Sequence, residues 1–222
     1  MSGHWSQLWA TRFEQVAPAR SFGWFKGQRN YPGYFWSATT GGHVGFESWL
    51  ERDNLMLLDR EPGVVGISSQ PFWLSWLDDR GRVRRHLPDY FARLEDGSAV
   101  VVDVRADDRI EQRDAEAFAA TQEACASVGW EFRRVGALGA VLAVNLRWIA
   151  RYRHPRFAGR GLVRERVVEV FARGAELFTG AGQAADRLES LPVVYHLLWC
   201  GVLRADLEAR VLSPATVVRS AR

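Results

Sequence analysis

One stretch of the 222-residue chain carries acids and a base at spacings that suit phosphate chemistry. Pro88-Asp89 is followed, 14 positions after the aspartate, by Asp103-Val104-Arg105. Residues two apart on a strand leave the same face, so Asp103 and Arg105 project together. Val100, Val101, Val102 and Val104 surround them. A charged pair in such an apolar run is costly to bury unless it pairs or holds a ligand. The separation of 14 suits two hairpin strands that bring both carboxylates to one end of a sheet. Converging carboxylates repel each other, and a hard divalent cation, Mg²⁺ or Mn²⁺, removes that repulsion. Glu47 and Glu51 lie four apart on an expected helix, so they share a face and either supplies a third carboxylate. A plainer alternative uses the same residues: Asp89 ends a strand, and Asp103 and Arg105 form an ion pair. Gln70 borders the same region, as an orienter of water or as a satisfied buried amide. His86, three before Asp89, reads as a contact to the substrate or to a site acid, or as a structural histidine.

The rest of the composition narrows the field. Hydrophobic residues make up 47% and charged residues 25%, ordinary globular usage that excludes disordered and fibrous chains. No apolar run approaches the roughly 18 residues of a membrane span, and no secretory leader is read, so a cytoplasmic protein is expected. Two cysteines, Cys125 and Cys200, are too few for a zinc cluster. No histidine pair has metal-ligand spacing, and neither a P-loop nor a Ser-His-Asp set is present. Lys26 is the only lysine among 29 basic residues, so arginine stands where lysine often serves. Arginine forks well onto phosphate oxygens but keeps its proton and makes a poor base.

These side chains need a scaffold. Residues 1–42, rich in Gly and aromatics (Trp5, Trp9, Trp24, Trp36), read as an arm laid over the core. A helix is expected over 43–60, strands over 64–77, 82–94 and 98–105, a helix over 107–127 and a strand over 130–135. The turns at Asp79-Arg80-Gly81 and Asp96-Gly97 mark hairpins. Helix, three strands, helix and strand describe an α/β sheet with a helical crossover over 43–140. A connecting helix and linker follow at 141–160. Then come an amphipathic helix (162–178), a Gly180–Gly182 turn, short helices near 184–190 and 191–203, and a closing hairpin. Helices followed by a two-stranded wing suggest a winged-helix domain over 161–222. Leu197, Leu198 and Trp199 suit protein packing better than a major groove, which favours partner docking for that domain.

The order Glu, Pro-Asp, Asp-x-Arg resembles the PD-(D/E)XK nuclease signature. The segments FESWLERDNLMLLDREPGVVGISSQPFWL, HLPDYFARLEDGSAVVVDVR and EACASVGWEFRRVG resemble the N-terminal domain of the TnsA family, the endonuclease subunits of heteromeric transposases. The resemblance runs over roughly residues 35–140. It implies a restriction-endonuclease-like core, a mixed sheet flanked by helices, that cuts DNA at the 5′ ends of a transposon with Mg²⁺ or Mn²⁺. It further implies an integrase-like partner subunit and an ATPase regulator. Carried over by position, Glu51 (with Glu47 as rival), Asp89 and Asp103 take the metal-holding places, with the Val104 carbonyl as a further ligand. Arg105 takes the place of the family's usual lysine.

Overall fold

The computed structural model describes residues 8, 10–23, 26–28 and 30–221. Trp5, Trp9 and Trp24 of the expected arm lie outside them. The chain divides into two compact units, Met1–Ala137 and Leu138–Arg222.

In the first unit, β1 (Gly33–Trp36) and β2 (His43–Phe46) form an antiparallel hairpin with Trp36 across from His43. The expected helix over 43–60 is therefore corrected: its first four residues are strand. Val44 and Phe46 alternate inward there. Gly45 passes so close to Phe22 that an added Cβ would stand 2.1 Å from the ring. The helix α1 (Trp49–Arg60) starts later, where a Ser48 cap accepts from the Glu51 N–H at 3.2 Å. Near its end, buried Asp59 accepts from Ser37 Oγ (2.5 Å) and from the N–H groups of Ala38 and Thr39 (both 2.9 Å), tying the β1–β2 turn to the helix.

The central sheet has the order β3-β6-β7-β8, from β3 (Val64–Ser69), β6 (Tyr90–Leu94), β7 (Ala99–Val104) and β8 (Glu131–Val135). The first three run antiparallel, and β8 runs parallel to β7 after the crossover helix α2 (Gln112–Ser127). Two expected strands each split. Residues 64–77 become β3 and β4 (Leu74–Leu77), and 82–94 become β5 (Val83–His86) and β6. The breaks fall at Gln70-Pro71 and Leu87-Pro88. Proline has no N–H for a ladder bond, and Gln70 turns the chain with φ at +48°. β4 and β5 pair only with each other, as a separate ribbon. Val100 and Val101 are fully buried, as their run suggests. On the α2 face, Phe91, Val101, Cys125 and Trp130 gather with Phe13 from the N-terminal segment. Burying that one phenylalanine contributes about 2–3 kcal/mol, so the segment belongs to the core. A mixed sheet with helices on it is consistent with a nuclease core.

The second unit begins with α3 (Ala140–Ile149), whose Leu146 and Ile149 are fully buried. The helix expected over 162–178 ends early. α4 covers Leu162–Phe171, Gly174 turns the chain at φ +84°, and β9 (Ala175–Glu176) follows. Gly180 and Gly182 form no turn; both lie in α5 (Leu177–Ala184). The two short helices expected next are one, α6 (Arg187–Trp199), capped by Asp186 and running through Pro192. β10 (Leu203–Arg204) and β11 (Val217–Ser220) pair antiparallel, and β9 joins them in the order β10-β11-β9. Leu197, Leu198 and Trp199 are at most 2% exposed, so they are core and not a docking face.

Candidate active site

Tyr90 pairs with Val102, and continuing that register places Asp89 across from Asp103 at the end of β6 and β7. Asp89 lies just before β6, and its Oδ2 accepts the Val104 N–H at 2.7 Å. Asp103, 2% exposed, turns with Val101 toward the α2 face. There its Oδ2 meets His86 Nε2 at 2.8 Å, and the imidazole stands edge-on to Phe118 of α2. His86 thus touches a site acid directly.

Glu51 approaches from α1. Its Oε2 accepts the Glu47 N–H (2.7 Å) and its Oε1 the Ser48 hydroxyl (2.8 Å), so the carboxylate folds back onto the start of its own helix. Glu47 faces outward onto Arg20. Burial is the largest cause raising the Glu51 carboxyl above its ordinary value, and Glu47's charge adds to it; the two hydrogen bonds and Arg20 oppose. Asp89 is pushed well above the usual carboxylate range by burial, then by the charges of Glu51, Asp103 and Glu47, against the Val104 N–H. The charges of Glu51 and Asp103 therefore converge on Asp89.

Arg105 goes elsewhere. Its Nη2 pairs with Asp114 Oδ2 at 3.0 Å, and its Nε donates to the Arg109 carbonyl at 3.2 Å. Among the described residues, the Asp103–Arg105 ion pair that the sequence also allowed is not formed. The adjacent arginines Arg84-Arg85 and Arg133-Arg134 are mostly neutralised as well. Arg84 pairs with Asp78, Arg133 with Glu61 and Glu131, and Arg134 with Asp107.

Two further side chains border Asp89. The Gln70 N–H donates to the Asp89 carbonyl at 2.8 Å, and the Gln70 side-chain Oε1 is buried without a hydrogen-bond partner. Tyr90, 1% exposed, also has a buried Oη with no partner. Burial, then the charges of Glu51, Asp89 and Glu47, hold its phenol protonated far above the ordinary value. The sequence offers a signal for Tyr90: it follows Pro88-Asp89 directly, and strand alternation turns it to the face opposite Phe91.

The donor set suits a hard divalent cation, since carboxylate oxygens crowd until one of them resists ionisation. The arrangement does not gather the ligands. Among the described residues, no three His, Cys, Asp or Glu side chains are grouped to hold a metal ion. Glu51 serves its helix cap, and Asp103 is held by His86. A separate cavity of about 460 Å³ lies in the second unit, lined by Trp148, Phe178 and Tyr195 with Arg147 and Arg151 and no carboxylate. It is not this site.

A mixed sheet flanked by helices, with acids at its rim, is consistent with a nuclease core. Residues 61–135 match the family model described as TnsA-like endonuclease N terminal, so the chain is TnsA-like over that stretch. The match spans Gln70, His86, Asp89, Asp103, Val104 and Arg105, and it begins after Glu47 and Glu51. A nuclease acting on phosphodiester bonds is what that family implies. No curated protein matches the chain. Among the described residues, no helix is long and apolar enough to cross a membrane.

Proposed function

We propose that this chain is the DNA-cutting subunit of a TnsA-like transposition system, a Mg²⁺- or Mn²⁺-dependent endodeoxyribonuclease acting at the 5′ ends of the element. The observation that carries the reading is the family match over 61–135 falling on the sheet rim where Asp89 and Asp103 face each other within reach of Glu51's charge. On this reading Asp89, Asp103 and the Val104 carbonyl would hold the cation, with Glu51 joining them only by leaving the Glu47 N–H and the Ser48 hydroxyl, and Asp103 by sharing its carboxylate with His86. When bound, it supplies a Lewis acid that polarises the phosphate and lowers the pKa of water. The chain's own residues do the rest. Asp89 is fixed by the Val104 N–H, His86 orients Asp103, and Arg105 stands two residues from Asp103 to neutralise charge developing on the phosphate. An integrase-like subunit that cuts the 3′ ends and an ATPase regulator are the expected partners.

The second unit supports a winged-helix assignment by its order α4-β9-α5-α6-β10-β11 and by a sheet in which β11 lies between β10 and β9. Because the α6 side chains are core, partner contact by that unit, as proposed, would fall on its other surfaces.

The test is nicking of supercoiled plasmid with Mn²⁺. Asp89→Asn keeps an oxygen for the Val104 N–H, so it should fold normally and lose nicking at least a hundredfold. Undiminished cutting would discard the assignment. A second reading, a docking module with a decayed site, is favoured by one observation, the pairing of Arg105 with Asp114. Calorimetric titration with Mn²⁺ separates the two, because a decayed site gives no Asp89-dependent heat.

A further inference from the structure

The β4–β5 ribbon has two unlike faces. Its register sets Leu74 across from His86, Ser75 from Arg85, Trp76 from Arg84 and Leu77 from Val83. Leu74 is buried and Trp76 packs against the core cluster, so their face turns inward. The opposite face carries Ser75, Leu77, Val83 and Arg85, all exposed; Leu77 is 66% and Val83 64% exposed. An apolar pair left in water contributes little to folding. Around it, residues 78–86 hold four arginines (Arg80, Arg82, Arg84, Arg85) against Asp78 and Asp79. Asp78 is taken by Arg82 and Arg84. Among the described residues, the guanidinium groups of Arg80 and Arg85 make no ion pair. The inner end of the ribbon is pinned to the acids, because His86 closes β5 and touches Asp103. Val83 lies three residues along the strand, about 10 Å away.

We propose that this ribbon grips the DNA duplex beside the acidic rim, with Arg80 and Arg85 on phosphates and Leu77 and Val83 against the groove wall. The proposal rests on the nuclease reading for its substrate. A two-stranded β-ribbon is one of the shapes that the roughly 12 Å wide major groove admits, and apolar side chains there meet thymine methyl groups. Net positive charge supplies the attraction. A reach of about 10 Å is under a third of a duplex turn, so one bound segment spans both ribbon and acids.

The experiment is fluorescence anisotropy of a labelled duplex with the full chain in chelator, where nothing is cut, alongside thermal unfolding. Arg80→Ser with Arg85→Ser should weaken binding about tenfold and flatten the slope of log affinity against log salt by about 1.8, two phosphate contacts at roughly 0.9 each. Leu77→Ser with Val83→Ser should weaken binding several-fold and leave that slope unchanged. Both should keep the wild-type Tm. Unchanged affinity and slope in the arginine variant, or a wild type that binds no duplex, overturns the proposal. So do variants that bind DNA normally and lose an integrase-like partner instead. A wild type that binds through the ribbon but never nicks sinks only the nuclease reading.

Discussion

His86 Nε2 and Asp103 Oδ2 stand 2.8 Å apart, and this contact ties the inner end of the β4–β5 ribbon to the rim of the central sheet. Asp103 is 2% exposed, and among the described residues His86 is its side-chain hydrogen-bond partner. Removing His86 leaves the buried Asp103 carboxyl without that hydrogen-bond partner.

His86→Leu should therefore destabilise the first unit by about 2–4 kcal/mol, read from the urea midpoint. His86→Gln keeps an N–H for Asp103 and should recover at least half of that loss. Equal losses in both variants would assign the effect to packing of the imidazole on Phe118 instead of to the hydrogen bond.

Tyr90 argues in the opposite direction. Its hydroxyl is buried without a partner, facing the charges of Glu51 and Asp89. An unsatisfied buried hydroxyl costs about 1–3 kcal/mol. Tyr90→Phe deletes that atom and little else, so it should raise stability by about 1 kcal/mol in metal-free buffer. A fall in Tm would show that the hydroxyl has a partner in solution, such as an ordered water.

Parts of this arrangement are legible in the sequence. The run from Ala99 to Val104 and the Asp96-Gly97 turn fix the β6–β7 hairpin, and the hairpin places Asp89 across from Asp103. Local spacing suffices there because the pairing is local. The strand at His43–Phe46 is not legible in this way. Its alternating Val44 and Phe46 also fit the start of a helix, and the deciding partner, β1, sits in an arm without periodicity. The helix expected through 178 fails for the same reason, since Ala175-Glu176 becomes strand only against β11, some forty residues on. At the site, spacing tells which side chains share a face, but not which donor each carboxylate takes. Asp103 bonding to His86 and Arg105 to Asp114 are tertiary choices made across element boundaries.

That choice by Arg105 gives the sharpest kinetic expectation. Its guanidinium is split between Asp114 Oδ2 and the Arg109 carbonyl, at the N-terminal end of α2, and is 38% exposed. Asp114 also accepts the Glu111 N–H at 3.0 Å, as the third helical residue of a capping box. A half-exposed ion pair of this kind is worth at most about 1 kcal/mol, so it restrains Arg105 only weakly. Asp114→Asn keeps an oxygen for the cap and removes the charge, which frees the guanidinium to turn toward a phosphate beside Asp103. Nicking by this variant should rise about three- to tenfold, a change of up to about 1.4 kcal/mol in the barrier, at a stability cost below about 1 kcal/mol. Arg105→Ala should lower the rate in both backgrounds and erase the gain from Asp114→Asn. Single-turnover rates on a nicked-circle assay read all four proteins. A gain that survives Arg105→Ala would move the effect from the arginine to the loss of negative charge near the DNA.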